Sequence, residues 1–309
     1  MTRVLYLAGW GRSGSTMLET VLNQVPELVG GGELKFIWRR GLMQNRRCSC
    51  GMPFRDCAFW SKVLVEAYTG VPESRLEALD AASERFRTRH LPSLLLLPAA
   101  PRRYARDLDW YRADLAALYR AMVTVSGARH VVDSSKFPSY LFALLQTPGL
   151  DVRVVHVVRD PRGVAYSWQR DKADPDAPGN GRMPKLPPAL TAAYWSAWNV
   201  ATERIVRANR IPYLRLRYED LIADPHRAVG AVLDLAGLPG VPVPISPAGE
   251  VDVTVSHQVS GNPVRFDRGP IALRDDDEWR RRMGKVPQLV VQAVTTPVRQ
   301  RYGYRTGAG

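Results

Sequence analysis

Cysteine is scarce in this chain of 309 residues: only Cys48, Cys50 and Cys57 occur, all within one ten-residue stretch. No disulfide framework can therefore run through the fold, and such usage suits a reducing compartment. Long apolar runs are also missing. The most apolar stretch, Leu91 to Pro101, is broken by Pro92 and Pro98 and falls short of the roughly 18 apolar residues a spanning helix needs. The N-terminal run Val4-Leu5-Tyr6-Leu7 is too short for the core of a secretory signal and soon meets Gly and Arg. The expectation is a soluble, cytoplasmic protein. Acidic residues are in deficit, 30 against 43 Lys+Arg, leaving a formal net charge of +13 and a pI near 10.0. An acidic disordered tail is excluded, whereas nucleic acid, a membrane surface or an anionic small molecule all suit the charge. At 45% hydrophobic and 24% charged residues the composition is globular, and the length allows one large domain or two modest ones. No repeat or low-complexity tract is present.

Apolar runs short enough for buried strands recur at Val4 to Ala8, His130 to Val132, Val152 to Val158 and Tyr213 to Leu216. Helical patterns separate them, which predicts α/β architecture around a parallel sheet. Between about Pro72 and Gly127 the pattern changes to charged helices, Glu73 to Arg89 and Leu108 to Val125, read as a helical insertion over the sheet. A loop rich in Pro, Gly and charge spans Asp171 to Pro188 and is expected to be mobile.

Chemistry concentrates first in Gly9-Trp10-Gly11-Arg12-Ser13-Gly14-Ser15-Thr16, between a strand and a helix. It has the G-x-x-x-x-G frame of a P-loop, but Ser15 stands where the lysine belongs. Backbone N–H groups and a helix N-terminus still favour phosphate or sulfate, while the cation that reaches a γ-phosphate is missing. A single 5′-phosphate group is the better ligand, with Arg12, Ser13, Gly14, Ser15 and Thr16 around it. A second anion site is suggested by Val157-Val158-Arg159-Asp160-Pro161-Arg162, where Arg159 leaves a strand's C-terminal edge and Ser167 lies about two helical turns on. The bland alternatives are a Gly/Ser turn that binds nothing, and an Asp160–Arg162 pair beside an exposed Arg159.

Together these two segments resemble the sulfotransferases that use 3′-phosphoadenosine 5′-phosphosulfate (PAPS), closest in motif layout to the tyrosylprotein and carbohydrate branch. The resemblance extends to Leu214 to Leu221, including Tyr218 as a nucleotide contact, then an Asp-Pro and a helix ending Leu235-Ala236-Gly237-Leu238-Pro239. It extends again to Ser256 to Arg265, similar to the loop that folds over the nucleotide. The matched blocks cover residues 3–38, 129–170, 212–240 and 254–287. The resemblance implies a P-loop-like fold in one domain, 1–309, with a C-terminal covering segment about 254–287. It further implies that the first loop holds the 5′-phosphosulfate and that Arg159 and Ser167 hold the 3′-phosphate. Ser256, Asn262 and Arg265 are nucleotide or transition-state contacts by resemblance alone. One departure stands out: where tyrosylprotein enzymes have a further Arg four residues after the Ser, this chain has Asp171, with Arg170 beside it.

Sulfuryl transfer needs a proton acceptor and positive charge on the departing phosphate. No metal is required, because a sulfuryl group carries less charge than a phosphoryl group. In Gly30-Gly31-Gly32-Glu33-Leu34-Lys35 a glycine-rich approach leaves a carboxylate where the family's base stands. Glu33 is therefore the base, unless it only caps a helix or pairs with Lys35. Lys136, just beyond a strand end, joins Arg12 at the leaving group. His257 is the alternative base. Asp133 imitates a Walker-B carboxylate and keeps a P-loop kinase as a second possibility; a non-catalytic nucleic-acid binder is the third. The acceptor is a small-molecule, carbohydrate, lipid or peptide hydroxyl. Leu94 to Leu97 suggests an apolar acceptor or a buried helix. Three cysteines without a nearby histidine fall short of the four ligands of a structural zinc, so the Cys48 to Cys57 stretch reads as a compact loop with free thiols or one local disulfide. Trp195 and Trp198 read as core, and the basic runs Arg39-Arg40, Arg46-Arg47, Arg102-Arg103 and Arg280-Arg281-Arg282 as solvated faces.

Overall fold

A computed structural model describes residues 1–68, 73–86, 108–174, 176 and 181–304. Five strands, β1 (Thr2–Ala8), β2 (Leu28–Gly30), β3 (His130–Lys136), β4 (Leu150–Val158) and β5 (Tyr213–Arg217), form one parallel sheet in the order β2-β3-β1-β4-β5. The helices up to β4 are α1 (Ser15–Leu22), α2 (Ala58–Tyr68), α3 (Glu73–Arg85), α4 (Asp109–Ser126) and α5 (Pro138–Leu145). Beyond β4 come α6 (Pro161–Gln169), α7 (Pro188–Asn209), α8 (Tyr218–Ala223), α9 (Pro225–Ala236), α10 (Glu278–Arg282) and α11 (Lys285–Arg301). This is an α/β fold, a central parallel sheet flanked by helices.

The uninterrupted apolar run of β1 reflects its place at the centre, covered on both faces. Val4, Tyr6 and Ala8 join an apolar cluster with residues of α2, α4 and α5, whereas Leu5 and Leu7 join the cluster under α1 and α9. The side chains still alternate; both destinations happen to be core. Each such fully buried aliphatic side chain contributes about 1.5–3 kcal/mol. Two helices open on an Asp-Pro pair. Asp160 accepts from Arg162 N at the start of α6 and Asp224 from Arg227 N at the start of α9, with proline at the first helical position of each.

Two features aim residues at one end of the sheet. β1 and β3 pair Tyr6 with Asp133 and then Ala8 with Lys136, so β3 carries one extra residue there, and Lys136 leaves the strand with φ +71°. A small antiparallel pair, β6 (Glu250–Val253) with β7 (Gly269–Ala272), brackets residues 254–268. That segment passes close to Gly32, where a Cβ would lie 2.9 Å from both Ser260 O and Val259 N.

All four expected strands are present, and the two helices expected on either side of the Leu- and Pro-rich link correspond to α3 and α4. The link itself, with Leu94 to Leu97 and Arg102-Arg103, lies outside the described residues, as do residues 175 and 177–180 of the Asp171 to Pro188 loop. Among the described residues, no helix is long and apolar enough to cross a membrane.

The first turn after β1 admits only glycine. Gly9 has φ +127°, and a Cβ there would lie 2.1 Å from Val157 O. Gly127, after α4, has φ +72° with nothing within 4 Å. Urea denaturation should therefore separate two alanine variants. Gly127→Ala is expected to cost about 1 kcal/mol, the left-handed penalty alone. Gly9→Ala should cost about 3 kcal/mol or more, because strain and a backbone clash add.

Candidate active site

The loop Gly9 to Thr16 leaves β1 and turns directly into α1. Gly14 makes the turn in the left-handed region, φ +94°, and a Cβ there would meet the Tyr218 ring at 2.6 Å. Ser15 opens the helix, so the unpaired N–H groups and the positive end of the helix dipole face the loop's concave side. Ser13 Oγ is buried and makes no hydrogen bond among the described residues. Arg12 is also left-handed, φ +70°, with its guanidinium 5.1 Å over the Trp168 ring.

This loop forms one wall of a cleft of about 700 Å³. Arg12, Gly14, Ser15, Thr16, Glu33, Lys136, Arg159, Ser167, Tyr218, Asn262 and Arg265 all line it. Residues from all five strand ends and the 254–268 segment are thus brought together. Of the residues singled out by sequence, Ser13, Ser256 and His257 do not line it. Ten Lys and Arg side chains line the cleft against four carboxylates, so it holds a large share of the chain's positive excess.

At the floor, Lys136 Nζ meets Glu33 Oε1 at 2.7 Å, and both side chains are largely out of water. Glu33 does not pair with Lys35, which turns to Ser83 O and Glu84; nor does its side chain cap the short helix that follows. Arg40 Nη1 reaches Glu33 Oε2 at 3.4 Å and Ser260 Oγ at 2.7 Å. Burial alone would raise the Glu33 pKa, but Lys136 and Arg40 outweigh it and hold the carboxyl below its ordinary value. Glu33 is therefore ionised and able to accept a proton across the neutral range.

Arg159 closes the other end. Its guanidinium lies 4.5 Å over the Tyr218 ring and donates to Asp276 O at 2.6 Å; Ser167 lines the same cleft. Asp160 does pair with Arg162, at 2.7 Å, yet Arg159 beside it is buried in the cleft rather than an exposed strand end. Arg265 pairs with Asp176 at 2.9 Å, and Lys172 Nζ holds Asn262 Oδ1 at 2.8 Å. Arg170 lines the cleft and bonds to Asp276 and Glu278. Asp133, by contrast, is fully buried and held by Tyr119 and Ser135.

Sequence reasoning missed several contributors. Arg40 and Arg46 line the cleft, although the runs that contain them read as solvated faces. The two tryptophans are core as expected, but their indole N–H groups also fasten the site. Trp198 donates to Lys136 O at 3.0 Å and Trp195 to Arg159 O at 3.1 Å. Glu19 gave no sequence signal at all. Buried inside α1, it accepts from Gly32 N at 2.7 Å and Ser134 Oγ at 2.5 Å, joining the turns that carry Glu33 and Lys136. Burial pushes its pKa up to about 7, and burial likewise pushes Asp133 up to about 6.

A family model described as the sulfotransferase family matches residues 5–242. No curated protein sequence matches the chain. Among solved structures, the sulfotransferase domain from the Synechococcus PCC 7002 olefin synthase superposes with a TM-score of 0.55 at 18% identity, covering 99% of this chain and 96% of that one. The sulfotransferase domain from the curacin biosynthetic pathway gives a TM-score of 0.58 at 15% identity, covering 99% of each chain. At such identities the likeness is one of fold.

Glu19 provides a test of this geometry through pH. Its carboxyl keeps its proton to about pH 7 when folded, against an ordinary value of 4.5, so between those values the folded state binds more protons than the unfolded. Stability therefore falls as pH rises through that window, by roughly 2–4 kcal/mol from this group. Glu19→Gln should remove that component, so that urea unfolding at pH 5 and pH 8 shows a smaller difference in the variant than in the wild type. Equal differences in the two proteins would refute the assignment.

Proposed function

The chain belongs to the sulfotransferase family, and from that premise we propose that it moves a sulfuryl group from PAPS to the hydroxyl of a small-molecule, carbohydrate, lipid or peptide acceptor. The observation that carries this reading is the convergence of the phosphate loop, the Glu33–Lys136 pair, and Arg159 with Ser167 on one cleft. The residues suit the donor's two anionic ends. The Arg12 to Thr16 loop, with the N-terminus of α1 behind it, fits the 5′ end. Arg159, Ser167 and the Tyr218 ring fit the 3′-phosphate end, and Asn262 and Arg265 cover the nucleotide.

In the proposed reaction the acceptor oxygen forms a bond to sulfur in line with the sulfur–oxygen bond that breaks. Glu33 takes the hydroxyl proton. The departing electron pair stays on the 5′-phosphate of 3′-phosphoadenosine 5′-phosphate, where Lys136 and Arg12 meet the new charge. For this, Lys136 exchanges Glu33 for a phosphate oxygen when the donor binds, and loss of that cation raises the basicity of Glu33 before the proton is taken. A P-loop kinase fits less well: Ser15 replaces the loop lysine, and Asp133 is occupied by Tyr119 and Ser135. A nucleic-acid binder fits less well because so much of the positive excess lies inside a cleft of nucleotide size.

Calorimetry with 3′-phosphoadenosine 5′-phosphate, without metal, should show binding, and Arg159→Ala should weaken it about ten- to a hundredfold. Tighter binding of ATP with Mg²⁺ would favour the kinase instead. Glu33→Gln should keep nucleotide affinity while single-turnover transfer falls about 10²- to 10⁴-fold; undiminished transfer would remove Glu33 as the base. Because Glu33 titrates below its ordinary value, kcat/KM should stay flat from neutrality down to about pH 5. Arg40→Ala, by removing a cation, should move the acid limb upward.

A further inference from the structure

Cys48, Cys50 and Cys57 meet His257, which lies 200 residues further along the chain from Cys57, and their ligand atoms all fall within 4.8 Å of one another. The histidine that the local sequence lacked is supplied by the 254–268 segment. We propose that these four residues form a structural zinc site that clamps this segment to the 48–60 region.

Four of the six distances between ligand atoms lie close to the edges of a tetrahedral centre, and the other two are within 4.8 Å. Zinc takes sulfur at about 2.3 Å and imidazole nitrogen at about 2.0 Å, so a tetrahedron around it has edges of about 3.8 Å between sulfurs and about 3.5 Å between sulfur and nitrogen. Cys48 and Cys57 Sγ stand 3.6 Å apart, and Cys50 and Cys57 Sγ 3.7 Å. His257 Nδ1 stands 3.2 Å from Cys57 Sγ and 3.7 Å from Cys48 Sγ. Three thiols and an imidazole around one point suit zinc, and four protein ligands leave no position open for chemistry. The metal's role is therefore to hold structure, apart from a transfer reaction that requires none.

The surroundings hold the ligands in place. Gly51, with φ +95°, lets the chain turn back so that its N–H reaches Cys48 O at 2.9 Å, and this tight turn accommodates the short Cys-x-Cys spacing. Phe59 stacks on the His257 ring at 4.8 Å and 13°, while Trp60 Nε1 donates to His257 O at 2.8 Å. Cys48 and Cys57 are buried. A local disulfide would use two of the sulfurs and leave the third thiol and the imidazole converging on nothing.

The clamp reaches the cleft through chain connectivity. Ser49 bonds to Ser256 O and to both backbone groups of Gln258; three residues beyond His257, Ser260 accepts from Arg40. A metal that closes so long a stretch of chain stabilises the folded state and fixes the segment that carries Ser260 and Arg265.

The test begins with the full chain purified in reductant without added metal or chelator. Elemental analysis should find one zinc per chain, and a mercurial reagent should release it as three thiols titrate. The zinc-free protein should take up one Co²⁺ with tetrahedral d–d bands and thiolate-to-cobalt charge transfer, displaced by Zn²⁺, and chelation should lower Tm by several degrees. His257→Ala should lose or greatly weaken the metal, whereas His257→Cys, which restores four ligands, should keep it; this pair remains informative even if Cys57→Ser fails to fold. A folded protein that binds neither Zn²⁺ nor Co²⁺, or whose Tm ignores both metal and chelator, overturns the proposal. So does a Cys50–Cys57 disulfide that leaves a single titratable thiol. These readouts do not depend on the transfer reaction. Only one consequence rests on the proposed function, namely that metal removal weakens binding of 3′-phosphoadenosine 5′-phosphate several-fold; absence of any such binding by the metal-loaded protein would count against the nucleotide reading and not against the metal site.

Discussion

The 2.7 Å pair of Lys136 Nζ and Glu33 Oε1 is the interaction on which the site's arrangement depends. Taking two charges out of water is costly unless hydrogen bonds and fixed geometry compensate, and the surrounding structure supplies both. Lys136 Nζ also donates to Ser134 O, while its own carbonyl is held by Trp198. On the other side, Gly31 N bonds to Val132 O and Ser134 N to Gly32 O, so the glycines continue the pairing of β2 with β3 and deliver Glu33 to the sheet edge. Glu19 ties the two approaches from below. Each partner is thus fixed by the backbone as well as by the other's charge, which is the preorganisation that charge-stabilising catalysis needs.

The same constraint explains local strain. Arg12 and Lys136 both have positive φ, a conformation costing roughly 1–2 kcal/mol for residues other than glycine. Both candidate leaving-group cations occupy it, where the chain leaves a strand and turns over the cleft. Such strain persists only where the surroundings over-determine it, as the bulged register of β3 and the Trp198 hydrogen bond do for Lys136. Positive charge is concentrated in the same place, ten basic side chains against four acidic. These cations repel one another until an anion enters, and the ion pairs of Glu33, Asp176 and Asp276 moderate that repulsion in the meantime.

Much of the fold was legible from pattern. The apolar runs at Val4 to Ala8 and Val152 to Val158 could only be strands covered on both faces, and the Asp-Pro pairs at Asp160 and Asp224 marked helix starts because their side chains cap the first turn. The short β6 and β7 were not legible, since four residues each carry too little periodicity to count. Within the site, Arg12, Ser15 and Arg159 could be found because each lies at a fixed offset from a strand end. Arg40, Glu19 and the tryptophan donors could not. Arg40 looks like any exposed arginine, and Glu19 like any polar residue on an amphipathic helix, until the chain that packs against them is known.

The amino-acid sequence by itself determined the strand–loop–helix turn after β1, the order of the segments that line the cleft and the excess of positive charge. These are local properties: a glycine's conformational range, a strand's apolar run and a helix's first turn act over a few residues. Tertiary structure alone decided who partners whom. Glu33 faces Lys136 across 103 residues, Arg40 meets Ser260 across 220, and three cysteines find their histidine at the other end of the chain. Contacts at such separations arise from the way both faces of the sheet are covered, and no short-range pattern records which distant segment closes over which.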